Sequence, residues 1–220
     1  MPHSARIKDI EAYNNQIEKG EIHPCNLPKC HRCNKDSSSF KLHSYRERVF
    51  YVIVEMVVKF VRSALVRFKC PGCGKTYVWY PDFALPYKRY TRQAIVHFSK
   101  SFVDTDETTY KQAVMVGHDA PGYQDDDRTL SPSTIHRWIS TCGRFEKIIR
   151  TSQELILQKD PATSFCRDIA QVNIAPHKYR SLSRKTLLER CWKLVKIEAT
   201  FNILFQVSIF TNLGIRCGFS

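Results

Sequence analysis

No apolar run in this sequence is long enough to cross a bilayer. The two most apolar stretches are residues 49–68, broken by Glu55, Lys59, Arg62 and Arg67, and residues 199–219, broken by Asn202, Gln206, Asn212 and Arg216. A span needs about 18 apolar residues without such interruptions. The opening MPHSARIKDIEAYNNQIEKG also lacks the apolar centre and small-residue cleavage site of a secretory leader. The sequence is therefore expected to be soluble and cytoplasmic, with no membrane partner. Acidic residues are few, 21 against 34 lysines and arginines, leaving a net charge of +13. That balance favours polyanionic partners, nucleic acid first, although an acidic protein or membrane surface satisfies the same electrostatics.

Enzyme signatures are equally scarce. Gly74-Lys75-Thr76 lacks the upstream glycines of a phosphate loop, and neither an HExxH pair nor a hydrolase elbow occurs. Asp125, Asp126 and Asp127 are consecutive, without the alternating spacing of a calcium loop, and read as solvated. No chemistry of its own is expected of this chain. With 43% hydrophobic and 25% charged residues it has the composition of a folded protein with a real core.

What is present is cysteine in a pattern. An odd total of nine, without a leader, argues against a secreted disulfide framework. Four of the nine form two Cys-x-x-Cys pairs, Cys30/Cys33 and Cys70/Cys73. Two such turns brought together supply the tetrahedral thiolate set of one structural zinc ion, with no open position for catalysis. Gly72 and Gly74 beside the second pair allow the tight turn of a zinc knuckle. Cys25, His23 and His31 lie close enough in sequence to remain alternative ligands, and buried free thiols or a dithiol redox pair are the competing readings.

The residues between the pairs are β-branched and aromatic: Val49–Val54, then Val57, Val58, Phe60, Val61, Leu65, Val66 and Phe68. They predict antiparallel strands, with a short helix around Glu55–Arg62 as the alternative, and Thr76–Tyr80 as a third strand ended by Pro81. Beyond the ribbon the period changes. Thr91 is a candidate cap for a helix burying Ala94, Ile95, Phe98 and Phe102, with Lys88, Arg89 and Arg92 free to meet phosphates. A shorter helix is expected from about Asp106 or Thr108 to Met115, with Tyr110, Ala113 and Val114 inward.

Ser131 and Pro132 then open a helix with Ile135, Trp138, Ile139 and Cys142 on its buried face. Ser133, Thr134, His136, Arg137, Ser140 and Thr141 are left outward, a set able to donate to base edges and phosphates. With the preceding helix this gives a helix-turn-helix-like unit whose connecting loop is longer than usual. The last stretch predicts two helices, one carrying Phe145, Ile148, Ile149, Leu155 and Ile156, the other following Ser183 as a candidate cap with Leu187, Leu188, Cys191, Trp192 and Val195. Residues 159–181 are irregular.

The succession of Cys-x-x-Cys, aliphatic strands, RFKCPGCGKTYVWYPDFALPYKRYT and SPSTIHRWI resembles the N-terminal zinc-ribbon and helix-turn-helix portion of transposases and related bacterial mobile-element proteins. A bacterial domain family of unassigned function is similar over the same residues, roughly 25–145. The resemblance implies zinc held by Cys30, Cys33, Cys70 and Cys73, and DNA contact from the helix around Arg137. It departs from full transposases in length, since the roughly 75 residues after Phe145 are too few for a ribonuclease-H-like catalytic domain.

The expected fold class is α+β: an N-terminal extension (1–24), a zinc ribbon (25–86), a helical DNA-binding region (87–145) and a C-terminal helical extension (146–220). The expected function is double-stranded DNA binding, with Lys88, Arg89, Arg92 and Arg144 on phosphates and Ser133, Thr134, His136 and Arg137 near the groove. A mobile-element protein is the implied protein partner. Two alternatives share the composition: a zinc-ribbon interaction or scaffold protein with an acidic partner, and an RNA-binding protein.

Overall fold

The computed structural model describes residues 5–54, 57–106, 108–114 and 130–212. The aspartates at 125–127 and Met115 lie outside them. The order of elements is α1 (Ala5–Glu18), β1 (Lys41–Val54), β2 (Val57–Lys69), β3 (Thr76–Trp79), α2 (Arg92–Val103), α3 (Tyr110–Val114), α4 (Pro132–Cys142), α5 (Glu146–Lys159), α6 (Phe165–Asp168), α7 (Leu182–Phe205) and α8 (Ile209–Asn212). The architecture is α+β, as the residue patterns predict, and the strand reading of residues 57–62 holds against the helical alternative. Among the described residues the chain divides into two compact units. The first contains residues 5–54, 58–92 and 210–212; the second contains residue 57, residues 93–106, 108–114 and 130–209.

In the first unit the three strands form one antiparallel sheet in the order β1-β2-β3, with Val66 opposite Trp79 and Lys69 opposite Thr76. Side chains alternate across a strand, and here both faces are covered. Leu65 joins Ile10, Tyr13, Phe50, Val52, Tyr80, Phe83 and Ala84 on one side. Val66 and Phe68 join Leu27, Cys30, Phe40, Cys70 and Tyr77 on the other. Each fully buried Phe or Leu contributes about 1.5–3 kcal/mol, so a sheet of only three strands acquires two cores.

Helix α1 was not anticipated within residues 1–24. Its Ile7, Ile10, Tyr13 and Ile17 recur at helical spacing and pack on the sheet. Tyr13 stacks on Trp79 with ring centroids 5.6 Å apart. Asn14 fastens the helix to β2, donating to the Arg62 carbonyl at 3.2 Å and accepting from Ser63 Oγ at 2.5 Å.

In the second unit α4 and α5 pack along α7, and α3 packs on α4. The predicted faces are the buried ones: Ala94, Ile95, Phe98 and Phe102 of α2, and Ile135, Trp138, Ile139 and Cys142 of α4. Caps differ from expectation. Helix α3 begins at a capping box in which Gln112 N donates to Thr109 Oγ1 at 3.2 Å and Thr109 N donates to Gln112 Oε1 at 2.7 Å. Thr109 is therefore the cap, and the helix starts just after the expected Thr108. Helix α7 is capped by Ser181, which accepts from Arg184 N, and not by Ser183. The Thr91 hydroxyl is buried and makes no cap bond. Tyr110 is half-buried and stacks on Phe102 at 4.0 Å.

Gly143, just past α4, lets two helices touch at backbone level: a Cβ there would lie 2.5 Å from the Leu187 carbonyl oxygen of α7. The irregular stretch before α7 also has a structural task. The largely buried Lys178 ammonium donates to the Phe102 carbonyl at 2.5 Å and to the Thr105 carbonyl, satisfying the C-terminal end of α2. Lys178→Met is expected to lower stability by about 1–3 kcal/mol, because it strands buried acceptors. A urea midpoint equal to that of the wild type would show that water replaces the ammonium.

Among the described residues, no helix is long and apolar enough to cross a membrane.

Candidate functional site

The two Cys-x-x-Cys turns meet above the second core of the sheet. The thiol sulfurs of Cys30, Cys33, Cys70 and Cys73 all lie within 4.8 Å of one another. Cys30 to Cys73 is 3.4 Å and Cys33 to Cys70 is 3.5 Å. These are far longer than the roughly 2.05 Å of a disulfide. Four sulfurs each about 2.3 Å from a tetrahedral zinc ion would stand about 3.8 Å apart, so the donor set fits a structural zinc site. Cys25, His23 and His31 fall outside the cluster.

The turns repeat one another bond for bond. In the first, Cys30 N donates to the Lys35 carbonyl at 2.8 Å and Asn34 N to the Cys30 carbonyl at 2.7 Å. In the second, Cys70 N donates to the Lys75 carbonyl at 2.9 Å and Gly74 N to the Cys70 carbonyl at 3.0 Å. The residue after the second cysteine is left-handed in both, with φ 56° at Asn34 and 74° at Gly74. Glycine enters that region freely, and asparagine is among the few other residues that do. The alignment of Lys-Cys-x-x-Cys-Asn-Lys with Lys-Cys-x-x-Cys-Gly-Lys carries this signal in sequence, but only the glycine draws the eye.

Tyr77, a β3 residue, links the sheet to the site. Its hydroxyl accepts from His31 N at 3.1 Å and lies 3.1 Å from His31 Nδ1. A hydrogen bond from the same hydroxyl holds the Cys30 thiol down at about 5. The Lys35 amide favours a thiolate at Cys33, but burial and three neighbouring sulfurs outweigh it and push that thiol up to about 12. Four sulfurs this close cannot all ionise alone; a bound cation reverses the balance.

The residues expected at nucleic acid are divided between the two units. Lys88, Arg89 and Arg92 belong to the first unit, and Ser133, Thr134, His136, Arg137 and Arg144 to the second. Arg92, expected outward, is buried at 8% exposure with its guanidinium 5.9 Å from the Phe210 ring. It starts α2 beneath the surface and is not placed to meet phosphate. Arg89 is exposed and Lys88 half-buried.

On α4, Ser133, His136 and Arg137 are exposed and Thr134 is half-buried, while Arg144 beyond the helix is exposed. Arg137 reaches only within its own helix, to Ser133 O at 3.4 Å and Ser133 Oγ at 3.5 Å. Part of the expected outward face is occupied. Arg184 of α7 donates to Ser140 Oγ at 2.7 Å, and the His136 ring meets Tyr110 edge to face at 5.6 Å. Burial, with Arg184 adding to it, pushes the His136 imidazole below its ordinary range.

Fold and site together define an α+β protein in which a four-cysteine, metal-site-like ribbon is followed by a helical unit. Residues 30–138, from the first paired cysteine to Trp138 of α4, match a family described as a domain of unknown function (DUF6431). No curated protein and no solved structure matches the chain.

Proposed function

We propose that this chain is a zinc-stabilised, double-stranded DNA-binding protein related to the DNA-binding portions of transposases, without chemistry of its own. The observation that carries the reading is α4. It buries Ile135, Trp138, Ile139 and Cys142 completely or nearly so and presents Ser133, His136 and Arg137 to solvent on a strongly basic chain. Its N-terminal half is the exposed half, the part that a recognition helix directs at base edges. The ribbon's part in this reading is structural, because a closed four-thiolate set would leave zinc no position for water or substrate.

Arg137→Ala should weaken binding to a preferred duplex by about 1–3 kcal/mol if the guanidinium reads a base. Titration of labelled duplex across a salt series measures this, and affinity should fall steeply with salt. Equal loss on all sequences would reduce Arg137 to a backbone contact, and no loss would remove α4 from the interface. A protein-partner reading is favoured by one specific observation: Leu182 and Ile203 of α7 are 80% and 72% exposed. A stable hetero-complex with salt-indifferent DNA binding would select it.

A further inference from the structure

A concave groove of about 930 Å³ runs between α1 and the strands of the first unit, lined by Arg46, Arg48, Arg62, Arg89, Tyr51 and Tyr87 among others. Glu18 and Glu47 are its acidic members, so cations outnumber them. Two of the arginines are held in place. Arg48 lies over the Phe50 ring at 5.5 Å and donates to the Lys88 carbonyl at 2.5 Å. Arg89 donates to Tyr51 Oη at 3.3 Å, and its carbonyl accepts from Tyr51 N at 2.8 Å, fixing residues 89–91 alongside β1. Arg46 and Arg62 are exposed and carry no ion pair among the described residues. Arg46 and Arg89 act repulsively on Arg48, whose guanidinium burial holds below its ordinary range. An anion in the groove relieves that repulsion.

Tyr87 supplies the second requirement. Lys88 N donates to the Leu85 carbonyl at 3.2 Å, closing a turn with Pro86 at its second position and Tyr87 at its third. Tyr87 has φ 61°, the conformation for which such a turn selects glycine. A bulky residue there is strained, and this one is 75% exposed. No core contact accounts for an aromatic ring at that place. An open ring face carried on a defined turn beside a row of guanidiniums is the arrangement that stacks a base while its phosphates are neutralised. Duplex DNA is convex and is read by elements that protrude into its grooves, whereas a concave channel admits one strand.

We infer that this groove binds single-stranded DNA, with a base stacked on Tyr87 and the backbone along Arg46, Arg48, Arg62 and Arg89. The choice of DNA over RNA rests on the proposed function; the choice of a single strand rests on the groove alone.

The test is fluorescence anisotropy on the full chain with a thymidine oligomer of about 16 nucleotides, at the upper end of known single-strand site sizes. The same oligomer annealed to its complement and a uridine oligomer of equal length are the comparison arms. The single DNA strand should bind, and its binding should depend on groove residues that duplex binding through α4 does not use. Tyr87→Gly should weaken it about tenfold, the loss of one stacked base, while the melting temperature holds or rises because the turn is relieved. Arg46→Ala with Arg62→Ala should flatten the dependence of log affinity on log salt by about 0.7 for each phosphate no longer neutralised. Single-strand affinity unchanged by Tyr87→Gly, duplex affinity weakened by it to the same extent, or tighter binding of uridine, would overturn the inference. Arg137→Ala separates the two readings: failure to weaken duplex binding defeats the α4 proposal and leaves the single-strand groove standing.

Discussion

A Cys70→Ser chain is expected to lose bound zinc and the fold of its first unit together. Cys70 and Cys30 are fully buried members of the second core of the sheet, alongside Leu27, Phe40, Val66, Phe68 and Tyr77. That core is therefore assembled around the cysteines and does not stand apart from them. Structural zinc contributes on the order of 10–16 kcal/mol to the folding of zinc-finger peptides near neutral pH, while a whole domain is stable by only about 5–15 kcal/mol. A serine hydroxyl in place of a thiolate removes a ligand and leaves three sulfurs crowded without compensation. Metal content should fall from one equivalent to near none, and protease sites in β1 to β3 should open. The Cys73→Ser chain should behave alike, although Cys73 is partly exposed. Retention of one zinc with the wild-type digestion pattern would defeat both the metal assignment and its structural role.

The second large effect is expected at Gly143. Its φ of −67° suits any residue, so the demand there is for space. A side chain would place Cβ 2.5 Å from the Leu187 carbonyl oxygen and 2.8 Å from Leu187 Cα, both backbone atoms of α7. Backbone does not rotate aside as a flexible side chain does. Gly143→Val should therefore sit at the upper end of overpacking costs, about 3 kcal/mol, visible as a lowered urea midpoint with the slope unchanged. A loss of stability below about 1 kcal/mol would mean that α4 and α7 separate easily.

The sheet, the cysteine set and the α4 face were legible in the sequence because each follows from a period or a spacing. Val66 and Phe68 alternate with Leu65, the paired cysteines share one spacing, and Ile135, Trp138, Ile139 and Cys142 fall on one helical face. Helix α1 was legible too, in Ile7, Ile10, Tyr13 and Ile17, but a polar-looking start obscured it. Other features depend on partners distant in the chain. Arg92 reads as a surface cation beside Lys88 and Arg89; only the fold brings Phe210 against its guanidinium. Ser140 reads as an open donor until Arg184, 44 residues later, binds it. The strain at Tyr87 is likewise invisible in composition, since Leu-Pro-Tyr-Lys announces a turn without announcing which residue must turn left-handed.

The second knuckle is also the loop of the β2–β3 hairpin: Lys69 and Thr76 are the last ladder pair, and Cys70 to Lys75 make the turn between them. Sliding one strand past the other by a single residue moves it roughly 3.3 Å and reverses the faces of its side chains. The sulfurs of Cys70 and Cys73, already within 4.8 Å of those across the site, have no such latitude. Under the proposed zinc reading, metal capture would act as a gauge of strand alignment, admitting the one pairing that also sends Phe68 and Tyr77 into the core.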